Sequence, residues 1–247
     1  YTLNTLFFFT LLWLGLRGGS LAAMALVFGL SLSNHWPLML LVAPAFAVLL
    51  WPRRQEIFSR IPVLFLLFVA GLLPYAWMVW RSWYSPIAFY GPIDSWYEFW
   101  FFISRQGYAE VDASPTAGWF DRAQFMGFMG RELLLQFAVV GTALAAAGFW
   151  LQWRLWGRLR AAALTIAFVM PSFGLLLLLG FDYDALHKHL FHVYPLPAYG
   201  IAALWLALGF DSLARRYAWR TWTRAASATV LLAAIFAAGS LWNMRSG

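Results

Sequence analysis

Eight apolar runs, four on each side of one long polar interval, limit what this chain can fold into more than any other feature. They occupy residues 1–16, 21–32, 37–51, 61–80, 133–151, 161–180, 196–210 and 226–242, and the polar interval is 81–131. With 63% hydrophobic and only 11% charged residues, where soluble domains carry about a quarter charged, the chain lacks the polar surface of a water-soluble globule. The expected fold class is all-α: a polytopic transmembrane helical bundle of about eight spans, with an outer-face loop bearing interfacial helices. One transmembrane domain is expected over 1–247, with four spans in 1–80, the loop at 81–131 and four spans in 132–247. Several runs fall short of the ~20 residues an upright helix needs. The second and third therefore read either as two spans or as a re-entrant hairpin broken at Ser33-Asn34-His35-Trp36-Pro37.

Charge orders the connections. Arg17, Arg53, Arg54, Arg60, Arg154, Arg158, Arg160, Arg215, Arg216, Arg220 and Arg224 fall on one side of an eight-span alternation, with only Glu56 and Asp211 as acids there. The other side carries Arg81, Arg105, Arg122, Arg131, Lys188 and Arg245 with the remaining eight acids. Short cytoplasmic loops are enriched in Lys and Arg, so the long loop, the Asn34-His35 turn and the 182–194 connection are expected to be extracytoplasmic. The expected setting is a bacterial inner membrane. Trp51, Trp80, Trp83, Trp150, Trp153 and Trp242 lie near run ends, where indole rings favour the headgroup region.

The net charge of +7 does not signal nucleic acid, because the basic residues are scattered between apolar runs and form no continuous face. The absence of cysteine removes disulfides, thiolate metal sites and a cysteine nucleophile from consideration. No Ser-His-Asp arrangement, glycine-rich nucleotide loop or Walker motif occurs. Tyr1 opens inside an apolar run with no basic leader, so a portion of a longer protein is expected.

Candidate site residues all lie on the outer side. Ser95-Trp96-Tyr97-Glu98 has capping-box spacing, which predicts a helix through Ile103. Helical periodicity puts Asp94, Glu98 and Arg105 near one side and Trp96, Trp100 and Ile103 on the other. Such a helix suits the membrane interface. Its charged stripe reads either as a wet surface or as a substrate groove, with Asp94 and Glu98 as candidate carboxylates for acceptor contact. Asn34 and His35 read as a helix cap beside an interfacial ring, or as hydrogen-bond donors to a phosphate or sugar. Arg81 either snorkels to the headgroups or binds a lipid-linked phosphate through its planar fork.

The run Asp182-Tyr183-Asp184-Ala185-Leu186-His187-Lys188-His189-Leu190-Phe191-His192 holds three of the four histidines. His187, Lys188 and His189 form a basic cluster suited to an anionic headgroup or substrate phosphate. No single regular geometry gathers His187, His189 and His192. Asp182 and Asp184 have the Asp-x-Asp spacing with which a divalent cation can be held against a diphosphate.

Several short patterns together resemble a family of multispanning proteins related to the protein O-mannosyltransferases. They are Tyr1-Thr2-Leu3-Asn4; Gly29-Leu30-Ser31-Leu32-Ser33-Asn34-His35; Gly71-Leu72-Leu73-Pro74-Tyr75 with Arg81-Ser82; Tyr90-Gly91-Pro92; Ser95 to Phe99; Ser104-Arg105-Gln106 with Tyr108; and Phe191 with Pro197-Ala198-Tyr199. The resemblance implies a GT-C glycosyltransferase that takes a sugar from a polyprenyl-phosphate carrier on the extracytoplasmic side and gives it to an acceptor such as a protein. It also implies a catalytic acid in a first outer loop, upstream of Tyr1. Where relatives often carry Trp-Gly-Asp-Pro, this chain has Tyr90-Gly91-Pro92-Ile93-Asp94, which leaves the role of Asp94 open. Under this resemblance Arg81, Arg105, His35 and Lys188 would serve the phosphate, and membrane lipids and the carrier are the expected partners. The competing classes are a lipid or small-molecule transporter, disfavoured by span interiors almost free of ionisable residues, and a structural subunit packed against a partner.

Overall fold

The computed structural model describes residues 2–84, 92–108, 114, 116–216 and 221–246. Tyr1, Tyr90, Gly91 and Arg220, named above, lie outside the described residues, as do Glu110 and Asp112 among the eight acids of the outer side. Every helix or strand assigned over an extended run among them is helical. Five apolar helical stretches are long enough to cross a membrane: Leu21–Ser59, Ile61–Tyr84, Trp119–Leu155, Arg158–Leu178 and Leu196–Arg216. Thr2–Leu16 and Thr223–Ile235 are shorter apolar helices.

Helix α1 (Thr2–Leu16) is followed by α2 (Leu21–Leu50), whose entry is capped by Ser20 accepting from the Ala23 N–H. α2 is broken at His35, which has φ −155° and ψ 80°. Pro37 is the cause: it has no N–H to give, and its ring crowds the carbonyl four residues back. The two limbs fold back on each other, and α1 supplies the ruler. Asn4 at its start reaches the His35 carbonyl, 3.5 Å away. A Cβ on Gly15 near its end would lie 2.6 Å from Leu49 and 3.5 Å from Met24. In a straight helix Met24 and Leu49 would stand about 37 Å apart, so α2 is a hairpin with its turn beside the start of α1 and both feet beside its end.

At the feet, α3 (Arg54–Ser59) leads into α4 (Ile61–Gly71) and α5 (Leu73–Tyr84). The break between α4 and α5 falls at Leu72, just ahead of Pro74. α4 packs along the first limb of α2 where Gly29 and Gly71 meet, so closely that a Cβ on either would overlap backbone of the other helix. The Tyr75 hydroxyl then donates to the Leu32 carbonyl at 2.7 Å.

α6 is Trp96–Ile103 and α7 is the long Trp119–Leu155. The polar interval is therefore narrower than the hydropathy suggests: Arg81 lies on α5, and Arg122 and Arg131 on α7. Helices run on past the apolar runs because helix formation does not need apolar residues once the segment leaves the core. α7 is interrupted at Ala138, with φ 53° and ψ 175°. α8 (Arg158–Val169) passes through a π-helical turn at Met170–Gly174 into α9 (Leu175–Leu178). α10 (Ala185–Phe191), α11 (Leu196–Arg216) and α12 (Thr221–Ser246) complete the chain. Pro195 and Pro197 flank the start of α11, where a missing N–H costs no intrahelical bond.

The main core joins α1, both limbs of α2, α7, α8 and α11 through Phe8, Met39, Val42, Leu164, Ile201 and Trp205. α7 and α11 cross where Gly148 meets the Trp205 backbone and Gly209 meets that of Leu144, and close approach at small residues is how helices associate without a hydrophobic drive. The buried Trp205 Nε1 donates to Gln152 Oε1 at 2.8 Å, and Gln152 Nε2 donates to Thr165 at 3.2 Å. A second core of Phe125, Met129, Leu176, Phe181, Phe191 and Tyr194 lies beneath the 180–194 connection.

Candidate functional site

Unequal helix lengths create a recess at the His35 end. Each limb of α2 measures about 22 Å. The stretch Ile61–Tyr84 has 24 residues. It runs upward beside the first limb, with Tyr75 bonded at the level of Leu32. Nine residues of helix remain between Tyr75 and Tyr84, so α5 rises about 13 Å above the level of Leu32 and about 9 Å above the hairpin turn.

α6 descends into the space this leaves. Ser82 at the top of α5 accepts from the Ile93 N–H at 2.9 Å, and Trp83 Nε1 donates to the Ile93 carbonyl at 3.1 Å. At the other end of α6, Trp36 Nε1 donates to the Ile103 carbonyl at 2.6 Å. The capping box is formed as the spacing predicts: the Ser95 side chain accepts from Glu98 N at 3.2 Å, and Glu98 accepts from Ser95 N at 3.0 Å. Trp96 and Trp100 are 81% and 60% exposed, which leaves the indoles facing away from the protein, as an interfacial helix requires.

The single charged stripe expected on this helix does not form. Asp94 precedes the cap, Glu98 turns back to the Asp94 and Ser95 N–H groups, and Arg105 lies past the helix end. The error has a physical source, since helical periodicity was extended two residues beyond the last helical position. The Asp94 carboxyl is raised above its ordinary range by its hydrogen bond to Glu98 and by that group's charge. Glu98 is held below its own range, first by the Asp94 N–H and then by that of Ser95.

Arg105 has φ 60°, a left-handed conformation that glycine normally supplies just after a helix. An arginine there is strained. It nonetheless terminates α6, with its N–H on the Phe102 carbonyl at 3.2 Å, and lines a cavity of about 60 Å³ together with His35, Pro37, Leu38, Leu175, Leu179 and Tyr194. The His35 and Tyr194 rings stand 6.2 Å apart. Asn4 is fully buried under the turn, and its Oδ1 accepts no hydrogen bond among the described residues. The recess thus gathers a guanidinium, an imidazole and a phenol from segments that are far apart in sequence, over an apolar floor.

The other candidates are placed around this centre. Asn34 and Arg81 are exposed, on the turn and on α5. His187 Nδ1 lies 2.9 Å from Asp184 Oδ2, and its ring is 4.9 Å from that of Phe181. Lys188 Nζ sits 4.5 Å above the Tyr183 ring, and His189 is exposed. His192 Nδ1 is 3.9 Å from Glu132 Oε2. The histidines point to different partners and do not converge.

The two aspartates of the Asp-x-Asp pattern also diverge. Asp182 accepts from the Ser114 hydroxyl and from Thr116 Oγ1, the latter at 2.8 Å. Asp184 caps α10, accepting from His187 N at 2.8 Å, and this bond holds its carboxyl below the usual range. Asp121 joins the same two segments, accepting from Gly118 N at 2.8 Å and Tyr183 N at 3.0 Å; these N–H groups depress it likewise. Asp182 and Asp121 stitch Ser114, Thr116 and the start of α7 to Asp182–Tyr183, and no group of three His, Asp or Glu side chains among the described residues is arranged to hold a metal ion.

Sequence reasoning did not find Tyr194, Leu175 or Leu179 as neighbours of His35, nor Ser114 and Thr116 as partners of Asp182. Asn4 carried a signal of its own, as a lone amide in an apolar helix. No protein-family model, curated protein or solved structure matches this chain.

Proposed function

We propose that this chain is the membrane portion of a GT-C type glycosyltransferase, crossing the bilayer eight times with its arginine-rich connections in the cytoplasm. It takes a sugar from a polyprenyl-phosphate carrier on the extracytoplasmic side and delivers it to an acceptor. The observation that carries the reading is the cavity that Arg105 and His35 line together with Leu38, Leu175, Leu179 and Tyr194. A carrier of this kind has a phosphate at headgroup depth and a hydrocarbon tail, and it needs a cation with hydrogen-bond donors beside a hydrophobic surface.

In this reading Arg105 and His35 hold the phosphate and Tyr194 closes the cavity beside them. Arg81, His187, Lys188 and His189 supply the basic rim that draws the anion in, and the Asn34 amide adds a neutral hydrogen-bond donor. Asp94 and Glu98, a hydrogen-bonded pair of carboxyls at the upper end of α6, face the acceptor. The left-handed arginine supports the assignment, since strain retained where glycine would fit is a mark of function.

The test is direct. Vesicles containing the protein and a polyprenyl-phosphate sugar should release free polyprenyl phosphate when an acceptor is supplied, and Arg105→Ala should abolish that release. A well-folded protein that neither binds nor turns over any of several polyprenyl-phosphate sugars would overturn the reading in favour of a structural subunit.

A further inference from the structure

A second cavity, of about 270 Å³, lies at the opposite end, between the feet of the α2 hairpin, the end of α1 and the start of α4. Every residue lining it is apolar, among them Leu11, Met24, Phe28, Phe46, Ile57 and Leu64, and Ala47 at its rim is exposed. Apolar cavities of about 150 Å³ stay dry and take up small hydrocarbons. A larger one opening from a bundle of this hydrophobicity is a place for a hydrocarbon chain.

What surrounds the cavity identifies the occupant. Arg54 follows the lining residue Leu50 by four positions and precedes Ile57 by three; Arg60 follows Ile57 by three and precedes Leu64 by four. Arg54 and Ile57 share a face of α3, and at the junction with α4 the Arg60 N–H bonds the Ile57 carbonyl at 3.1 Å while the Arg60 carbonyl accepts from the Leu64 N–H at 3.0 Å, so each arginine adjoins lining residues. Arg53 donates to the Gly19 carbonyl at 2.6 Å and to Glu56 at 2.9 Å. Arg54 and Arg60 are both exposed; Arg54 donates to the Trp51 carbonyl at 3.2 Å and lies over its ring, and Arg60 shares Glu56 at 3.3 Å. Arg53, Arg54 and Arg60 thus border an apolar cavity with a single carboxylate among them.

We propose that this cavity binds one acyl chain of an anionic phospholipid from the leaflet at the Arg53 end, with the lipid phosphate seated on Arg54 and Arg60. The site lies at the far end of the bundle from the recess, so it stands or falls independently of the transferase reading. Membrane arginines attract anionic lipid by about fivefold each near the surface, whereas the acyl chain leaves one hydrocarbon setting for another and gains only packing, so the headgroup contacts carry the selectivity.

The experiment uses the whole chain, reconstituted in phosphatidylcholine containing phosphatidylglycerol, extracted in mild detergent and examined by native mass spectrometry. One retained phosphatidylglycerol per chain is expected. Ala47→Phe should abolish retention by filling the cavity. The surface pair Arg54→Gln with Arg60→Gln, which leaves the packing untouched, should lower it by about 25-fold. Equal retention of phosphatidylcholine and phosphatidylglycerol, or retention unchanged in the Arg54/Arg60 variant, would overturn the proposal. Displacement of phosphatidylglycerol by equimolar polyprenyl phosphate would also overturn it and assign the cavity to the carrier.

Discussion

The two ends of the bundle are held together in opposite ways. At the Arg53 end Arg53 pairs with Glu56, Arg60 with Glu56, and Arg215 with Asp211 at 2.7 Å, each within one helical turn. Short-range pairs of this kind contribute little, and the longer reach at this end is that of Arg53 to the Gly19 carbonyl. At the His35 end the polar contacts join segments far apart in the chain: Trp36 to Ile103, Ser114 to Asp182, Asp121 to Tyr183 and Glu132 to His192. The first three are hydrogen bonds and the last a contact of 3.9 Å, and together they tie the loops at this end to one another. A membrane protein has no need to build polar tertiary structure above its helices unless the end so built has something to hold.

The largest test of that contrast removes the height difference on which it rests. Gly29→Val should push α4 away from the first limb of α2 at a cost of about 3 kcal/mol, read as a lowered thermal unfolding midpoint in detergent. A variant as stable as the parent would mean that the close crossing does not fix the tall wall of the recess. Next in size, Arg105→Ala should weaken binding of polyprenyl phosphate by about 10-fold to 100-fold, as expected for loss of a charge-assisted hydrogen bond. Arg53→Ala at the other end should leave it within about twofold. Equal losses would erase the functional distinction between the ends.

Arg105→Gly sharpens the same point. Relief of the left-handed strain should raise stability by about 1 kcal/mol, while carrier binding falls as far as in the alanine variant. Stability and binding moving together would show that Arg105 has only a structural role.

The smallest effect depends on pH. Asp121 and Asp184 are held below the usual aspartate range by backbone N–H groups, so their contribution is complete above about pH 4 and is lost as pH falls through their depressed values. Acidification should therefore lower the protection of the Tyr183 and His187 amides, with exchange corrected for its intrinsic pH dependence, and Asp121→Asn should remove that sensitivity at Tyr183. An acid response at Tyr183 unchanged by the substitution would count against the stitch.

Legibility in the sequence followed the range of the interactions. The break in α2 was readable because Pro37 acts on its immediate neighbours. The capping box at Ser95 and Glu98 was readable because it closes over three residues. The all-helical class and the membrane-length helices follow from the apolar runs. The start of α7 was missed because Asp121, Arg122 and Arg131 interrupt the hydropathy without interrupting the helix. Arg105 was assigned to the wrong geometry, since a left-handed residue after a helix is normally announced by glycine. The meeting of His35, Arg105 and Tyr194 was beyond reach, as it depends on three elements arriving at one depth. The same holds for Ser114 and Asp182, 68 positions apart.

The shortness of the α2 limbs has a consequence for the lipid around them. Their lengths of about 22 Å compare with a hydrocarbon slab of about 30 Å, while Ile61–Tyr84 matches or exceeds it. Leu26 and Leu40 on the limbs are exposed, so in a bilayer the acyl chains beside them compress on that flank and relax on the other. A dimple of that kind brings water, and anything dissolved in it, down to a depth that a flat bilayer would seal off.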